Sequence, residues 1–107
     1  MIFIRREYIV YQADSPIKIT YANIKEYPIH WHNSIEILYV LRGSINVNVD
    51  TDSFEVLEKE MEIINVDEAH RIYSDEDNRV LIFHIDPSFF EKYYKDINNV
   101  FFYTPIK

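Results

Sequence analysis

Two histidines and a glutamate lie close together in the sequence, at His30, His32 and Glu36. The residues around this glutamate, from 35 to 41, are otherwise apolar or aromatic, which is typical of a strand. Residues separated by an even number of positions point to the same face of a strand, so we expect the three groups to share one side. Imidazole and carboxylate groups are ligands of transition metals. The spacing therefore predicts a polar site on an apolar strand.

Two further side chains bear on this site. His84 lies between Phe83 and Ile85, and a shift of one residue in register decides whether it points into the same interior or serves as a structural histidine. Tyr39 is the aromatic residue closest to the site within the apolar run, although its parity is opposite to that of Glu36 if the strand is regular. We include both as candidate pocket residues.

Alternating apolar and polar residues, separated by turn residues, predict a series of short strands. Pro28 should separate the second strand from the strand that carries the histidines, and Gly43, the only glycine, marks the turn that follows it. The predicted strands cover residues 7–12, 17–27, 30–43, 44–49, 53–57, 61–66, 69–73 and 79–85. Short strands at regular spacing predict an all-β sandwich or barrel.

After residue 86, the spacing of the apolar residues changes from the alternation of a strand to the spacing of a helix. Pro87 suits a first helical position, and Ser88 with Glu91 forms a plausible capping box, so we predict a helix over about residues 87–98. Its apolar face either covers the core or contacts a second copy of the chain. The candidate dimer contacts on this face are Phe89, Phe90, Tyr93, Tyr94 and Ile97. Aromatic residues near the end suggest that the natural chain continues past Lys107 or that this end packs on a partner.

Composition limits the classes of function. The chain has 107 residues, enough for one domain, and its net charge is −7 from 18 acidic and 11 scattered basic residues. Duplex nucleic acid requires clustered cations, so this segment itself should not bind DNA. The absence of cysteine excludes a disulfide framework and a thiolate metal site. We find no signal-peptide core and no membrane span, and expect a cytoplasmic protein.

The sequence also resembles a known family. The pattern His30-x-His32-x3-Glu36, followed by Gly43, resembles the first motif of the cupin superfamily, and residues 65–70 resemble the second, with His70 in the place of its ligand histidine. The stretch from residue 30 to about residue 90 is similar to the amino-terminal sensor domain of AraC-type transcription regulators. The family's usual glycine and proline near the second motif are replaced by Lys59 and Val66.

This resemblance implies a fold and a site. The expected fold is mainly β: a cupin-type double-stranded β-helix, or jelly-roll barrel, over about residues 7–86, followed by the carboxy-terminal α-helix. The whole chain would be a single domain, and the DNA-binding helix-turn-helix domain would lie outside it. The ligand pocket would be lined by His30, His32, Glu36, His70, His84 and Tyr39. A divalent metal (Fe, Mn, Ni or Zn) would be held by His30, His32, Glu36 and His70, unless these residues form only a hydrogen-bonded cluster.

The resemblance also implies a function. It suggests the effector-binding and dimerisation domain of an AraC-type transcription regulator, without enzymatic activity, that binds a small molecule such as a sugar and forms a homodimer. DNA would be contacted only through the missing domain. The alternative is a stand-alone metal-dependent cupin enzyme, a dioxygenase or isomerase, because an open metal position permits catalysis. A sugar-binding module without a regulatory role is a third, weaker alternative.

Overall fold

The computed structural model describes residues 5–6, 9–11 and 15–88. These residues form nine strands, and the prediction of a mainly β fold is confirmed. The strands are β1 (Arg5–Arg6), β2 (Ile17–Ala22), β3 (Glu26–Trp31), β4 (Ile35–Arg42), β5 (Ile45–Val49), β6 (Asp52–Val56), β7 (Met61–Ile64), β8 (His70–Tyr73) and β9 (Arg79–Ile85).

The strands form two sheets. One sheet has the order β1-β3-β8-β5-β6 and the other has the order β2-β9-β4-β7. Only the short β1 pairs in parallel, with β3, and the other pairings between described strands are antiparallel. The core lies between the sheets because strands β4, β5, β7, β8 and β9 alternate buried and more exposed positions. Its fully buried members include Leu38 and Val80 from one sheet, and Val47 and Ile72 from the other.

The predicted strand 30–43 is two strands in two different sheets, and this part of the prediction was wrong. β3 ends at Trp31 and β4 begins at Ile35, so His32 lies in the connection between the sheets. Pro28 does not interrupt β3 but lies within it, where the pairing with β8 shifts register between Tyr27 and His30. A residue without a backbone N–H is tolerated at such an irregularity.

The predicted strand 17–27 is likewise divided, into β2 and β3. The bend between them is fixed by the fully buried Asn78. Its Oδ1 accepts from the Ile24 backbone N–H at 2.9 Å, and its Nδ2 donates to the Ile24 carbonyl oxygen at 2.8 Å. A side-chain amide that satisfies one backbone unit in both directions replaces the missing ladder bonds. The predicted first strand, 7–12, is also not formed at residues 9–11.

Four described residues, all in turns, have left-handed backbone conformations, and three of them are not glycine. The first of these three is Asp50, with φ of 54°. Gly43 has φ of 77°, and a Cβ there would meet the carbonyl oxygen of Asp77. Lys59 has φ of 68° and Asp67 has φ of 59°. The replacement of a family glycine by Lys59 therefore leaves the left-handed turn in place.

The predicted carboxy-terminal helix lies outside the described residues, apart from Pro87 and Ser88. There, the Ser88 backbone N–H donates to Asp86 Oδ1 at 3.0 Å. The candidate dimer contacts also lie outside the described residues: Phe89, Phe90, Tyr93, Tyr94 and Ile97. Among the described residues, no helix has the length and apolar character needed to cross a membrane.

Candidate metal and ligand site

All four histidines of the chain meet at one end of the two-sheet core. His30 on β3 lies opposite His70 on β8, and Glu36 on β4 lies opposite His84 on β9. One cross-strand pair therefore comes from each sheet. His32 joins them from the connection between β3 and β4. The fold thus brings into contact five polar groups that are dispersed over more than fifty residues of sequence, because the two sheets face each other.

Glu36 is the centre of this histidine cluster (His30, His32, Glu36, His70, His84). Its Oε1 is 2.7 Å from His84 Nε2 and 2.9 Å from His32 Nε2. Its Oε2 is 3.4 Å from His70 Nε2. Only 2% of Glu36 and 1% each of His32 and His70 are exposed to solvent. The carboxylate is therefore surrounded by imidazoles in place of water.

Hydrogen bonds to backbone carbonyls fix two of the imidazole rings. His30 Nδ1 lies 2.7 Å from the Pro28 carbonyl oxygen, and His70 Nδ1 lies 2.8 Å from the Glu68 carbonyl oxygen. A carbonyl oxygen only accepts, so each Nδ1 must carry the proton and donate it. Nε2 of each ring is therefore the atom that would bind a metal, after losing any proton it carries. Such outer contacts orient metal-binding histidines.

His32 is held from both sides of its ring and through its backbone. The Ser34 Oγ lies 2.9 Å from Nδ1, while Nε2 contacts Glu36. The backbone N–H of Asp67 donates to the His32 carbonyl oxygen at 2.9 Å, which ties the connection between β3 and β4 to the turn before β8. The sequence prediction missed Ser34, because the contact between its side chain and His32 depends on the break between β3 and β4.

The electrostatics of the cluster keep Glu36 ionised. Burial raises the pKa of its carboxyl, but hydrogen bonds from His32, His70 and His84 and the attraction of His70 outweigh this effect. The net result is a pKa well below the usual value of 4.5. Burial also raises the pKa of Tyr11, against the lowering effect of Ser34. A buried carboxylate that stays ionised is suited to binding a cation.

The geometry fits a divalent metal. Each of His30, His32, Glu36 and His70 offers one ligand atom, and these atoms lie within 4.8 Å of one another. Bonds of about 2.0–2.2 Å place opposite ligand atoms up to about 4.4 Å apart, so small side-chain movements suffice to close the shell. Three imidazoles and one carboxylate suit Fe, Mn, Ni or Zn, and an ion that prefers six ligands, such as Fe, Mn or Ni, would keep coordination positions open.

Comparison with known proteins identifies the family. The model of the AraC-like ligand-binding domain matches residues 20–104. The chain belongs to the AraC-like ligand-binding domain family. The match spans the strands that carry the histidine cluster. A search of curated proteins found no match.

Solved structures similar to this AraC-like domain are cupins. A cupin-2 domain protein from Shewanella frigidimarina is 15% identical with a TM-score of 0.62, over 73% of this chain and 78% of that one. A cupin superfamily protein from Desulfitobacterium hafniense is 12% identical with a TM-score of 0.64, over 72% of both chains. A cupin domain from Schizosaccharomyces pombe is 17% identical with a TM-score of 0.66, over 78% of this chain and 65% of that one. At these identities the likeness establishes the cupin fold.

The AraC-like domain brings together five of the six predicted pocket residues. His84 points into the interior and contacts Glu36, so the question left open by its register is answered. Tyr39 is not brought to the cluster. It lies an odd number of residues from Glu36 along an uninterrupted part of β4, opposite Leu81 and Met61 on the neighbouring strands, and so points to the outer face.

A cavity of about 340 Å³ in the AraC-like domain borders the cluster at His70. Its walls combine polar and apolar groups from β3, β5, β8, the residue before β8 and the turn between β5 and β6. They are Ile29, Asn48, Asp50, Thr51, Ala69, His70 and Arg71. Arg71 is held by a two-pronged contact with Glu26, at 2.7 and 3.1 Å, and stacks on Tyr73.

Proposed function

We propose that this chain is the effector-binding and dimerisation domain of an AraC-type transcription regulator, acting in the cytoplasm and without catalysis of its own. The observation that carries the proposal is the buried histidine cluster inside a domain of the AraC-like ligand-binding family. The effector is a small molecule that binds next to the cluster. DNA is contacted only by a separate domain, since the acidic charge of this segment disfavours nucleic acid.

The effector in this proposal is a sugar or a similar polar molecule. The cavity beside His70 supports this choice because Asn48, Asp50 and Thr51 supply both donors and acceptors next to the apolar Ile29. An effector can shift the regulator between states only by binding one state more tightly. In the proposal, the carboxy-terminal segment passes that shift to the DNA-binding domain and also forms the homodimer.

The proposal includes a divalent metal at His30, His32, Glu36 and His70. A bound ion would polarise an oxygen atom of the effector at its open position. The protein residues prepare this site: the Pro28 and Glu68 carbonyls orient two rings, and Ser34 contacts a third. Burial excludes water and keeps the electrostatic attraction of the site strong.

The effector proposal is tested by titrating the isotope-labelled chain with a panel of aldopentoses and aldohexoses, observed by nuclear magnetic resonance. We expect saturable shifts at Asn48, Thr51 and His70 for at least one sugar, and their loss in Thr51→Val. Asp75→Asn, in an exposed loop away from this cavity, is the matched control and should bind normally. Shifts that are absent, or that remain in Thr51→Val, contradict sugar binding in this cavity.

The same cluster also favours a second function, a stand-alone metal-dependent cupin enzyme such as a dioxygenase or isomerase. Three imidazoles and a carboxylate with an open position are suited to such chemistry. The gene sequence downstream of Lys107 distinguishes the two. A following helical segment rich in arginine and lysine supports the regulator, whereas a stop codon together with metal-dependent turnover supports the enzyme.

A further inference from the structure

The proposed metal ligands do not account for His84. This residue is 93% buried, with 7% of its surface exposed, and its Nε2 makes the shortest described contact of Glu36, 2.7 Å to Oε1. It lies on β9 directly opposite Glu36 on β4. An ionised carboxylate only accepts, so His84 Nε2 carries the proton and donates it. The donor is fixed by the register of two central strands.

Metal binding changes the partners of Glu36. His32 shares Oε1 with His84, at 2.9 Å, but its Nδ1 already contacts Ser34 Oγ. If His32 binds a metal through Nε2, that nitrogen loses its proton and can no longer donate to Glu36. His84 then remains as the donor to Oε1 in the described structure. Without it, a buried carboxylate oxygen would lose its hydrogen bond.

We propose that His84 is a positioning residue, which holds Glu36 through Oε1 and so presents Oε2 to the metal. This inference rests on the proposed metal site. His84 would therefore act on the metal through the carboxylate of Glu36 and not as a ligand. The other oxygen of that carboxylate, Oε2, lies 3.4 Å from Nε2 of His70, which is one of the proposed ligands. The role requires an N–H at the position of Nε2 but no imidazole ring. Glutamine can supply such a donor and leucine cannot.

The experiment is a titration of the metal-free chain with Co²⁺, with the dissociation constant obtained by competition with a chelator. Wild type, His84→Gln and His84→Leu are compared, and the visible Co²⁺ spectrum reports the ligand set. We expect His84→Leu to bind about 10–100-fold more weakly, the effect typical of lost outer-shell partners. His84→Gln should bind within a few-fold of wild type and give the wild-type spectrum.

Three outcomes overturn the proposal, and thermal unfolding of each variant confirms that it folds. Unchanged affinity in a folded His84→Leu removes the positioning role while leaving the metal site intact. If His84→Gln loses affinity and alters the Co²⁺ spectrum as much as His84→Leu does, His84 is itself a ligand. A wild-type chain that does not bind Co²⁺ ends the metal proposal and this inference with it.

Discussion

At the scale of single residues, the site is organised by one buried carboxylate. Glu36 contacts His32 and His84 through one oxygen and faces His70 with the other. These groups stabilise the ionised form enough to overcome the cost of burial. The same balance prepares the site for a cation, because the negative charge is already in place before a ligand arrives.

The lowered pKa of Glu36 predicts acid sensitivity of the metal-free protein. Below the ordinary value of 4.5 the unfolded chain takes up a proton that the native chain does not. The contribution of Glu36 to stability is therefore present above that pH and is lost as the pH falls toward the lower native pKa. Urea unfolding from about pH 6 down to about pH 3 should show a steeper loss in wild type than in Glu36→Gln, which has no carboxyl to protonate. An equal loss of unfolding free energy in the two proteins over this pH range would contradict the predicted contribution of Glu36.

The sequence predicted the residues of the site better than their arrangement. The types and spacing of His30, His32 and Glu36 indicated a polar cluster, and the family resemblance added His70. The inward direction of His84 could not be predicted, since a single step of register reverses it. Ser34 was missed because its role depends on the break between β3 and β4, which the apolar pattern of β4 conceals.

At the scale of elements, turns bring the strands of the site together. The turn between β6 and β7 is secured by backbone hydrogen bonds to β4, from Lys59 N–H to the Val40 carbonyl at 2.6 Å and from Val40 N–H to the Glu60 carbonyl at 3.0 Å. Lys59 nevertheless has φ of 68°, a conformation that costs a residue with a Cβ about 1–2 kcal/mol. This turn therefore stores strain.

We predict that Lys59→Gly stabilises the protein. Glycine removes the steric cost of the left-handed conformation but adds entropy to the unfolded chain, so the net gain should be about 0.5–1 kcal/mol. The measurement is the free energy of unfolding in urea. Lys59→Ala is the matched control, because alanine removes the charged side chain and keeps the Cβ. A gain from alanine equal to that from glycine would show that the backbone conformation is not the cause.

Replacing a glycine by a residue with a Cβ should destabilise the protein at Gly43. Its φ of 77° and the approach of the Asp77 carbonyl leave no room for a Cβ. Gly43→Ala should therefore destabilise the fold by at least about 1–2 kcal/mol, measured by thermal or urea unfolding. A neutral Gly43→Ala would mean that this turn relaxes easily.

The sequence predicted most strands but not all of their boundaries. Regular alternation located β5, because its inner positions, Ile45 and Val47, are aliphatic and its outer positions, Asn46 and Asn48, are polar. β9 was located by its apolar run instead. Pro28 misled the prediction, since a proline usually ends a strand and here occupies an irregular part of β3. The bend at Ile24 was missed because the partner that fixes it, Asn78, lies 54 residues away.

At the scale of the whole molecule, two sheets enclose an aliphatic core, and the histidine cluster lies at one end of it. The regulator proposal requires a second copy of this molecule. The proposed contacts lie in the carboxy-terminal segment: Phe89, Phe90, Tyr93, Tyr94 and Ile97. Apolar aromatic residues of this kind are enriched at the centres of protein interfaces.

We therefore predict that the chain is a dimer in solution. Tyr93→Asp should shift the equilibrium to monomer, because an unpaired charge in an apolar contact is costly. Light scattering after size-exclusion chromatography measures the mass of each species. Glu91→Gln, which adds no charge and lies outside the proposed contact set, should remain dimeric. A strict monomer at high concentration would contradict the dimer proposal for this segment.

Whether the histidine cluster binds a divalent metal is decided by measuring the metal content of the purified chain. We expect one Fe, Mn, Ni or Zn ion per chain, either as purified or after reconstitution and dialysis. His32→Ala should lose the ion, while Asp75→Asn, in an exposed loop, should retain it. No stoichiometric metal in the wild type, or equal metal in His32→Ala, would contradict the account.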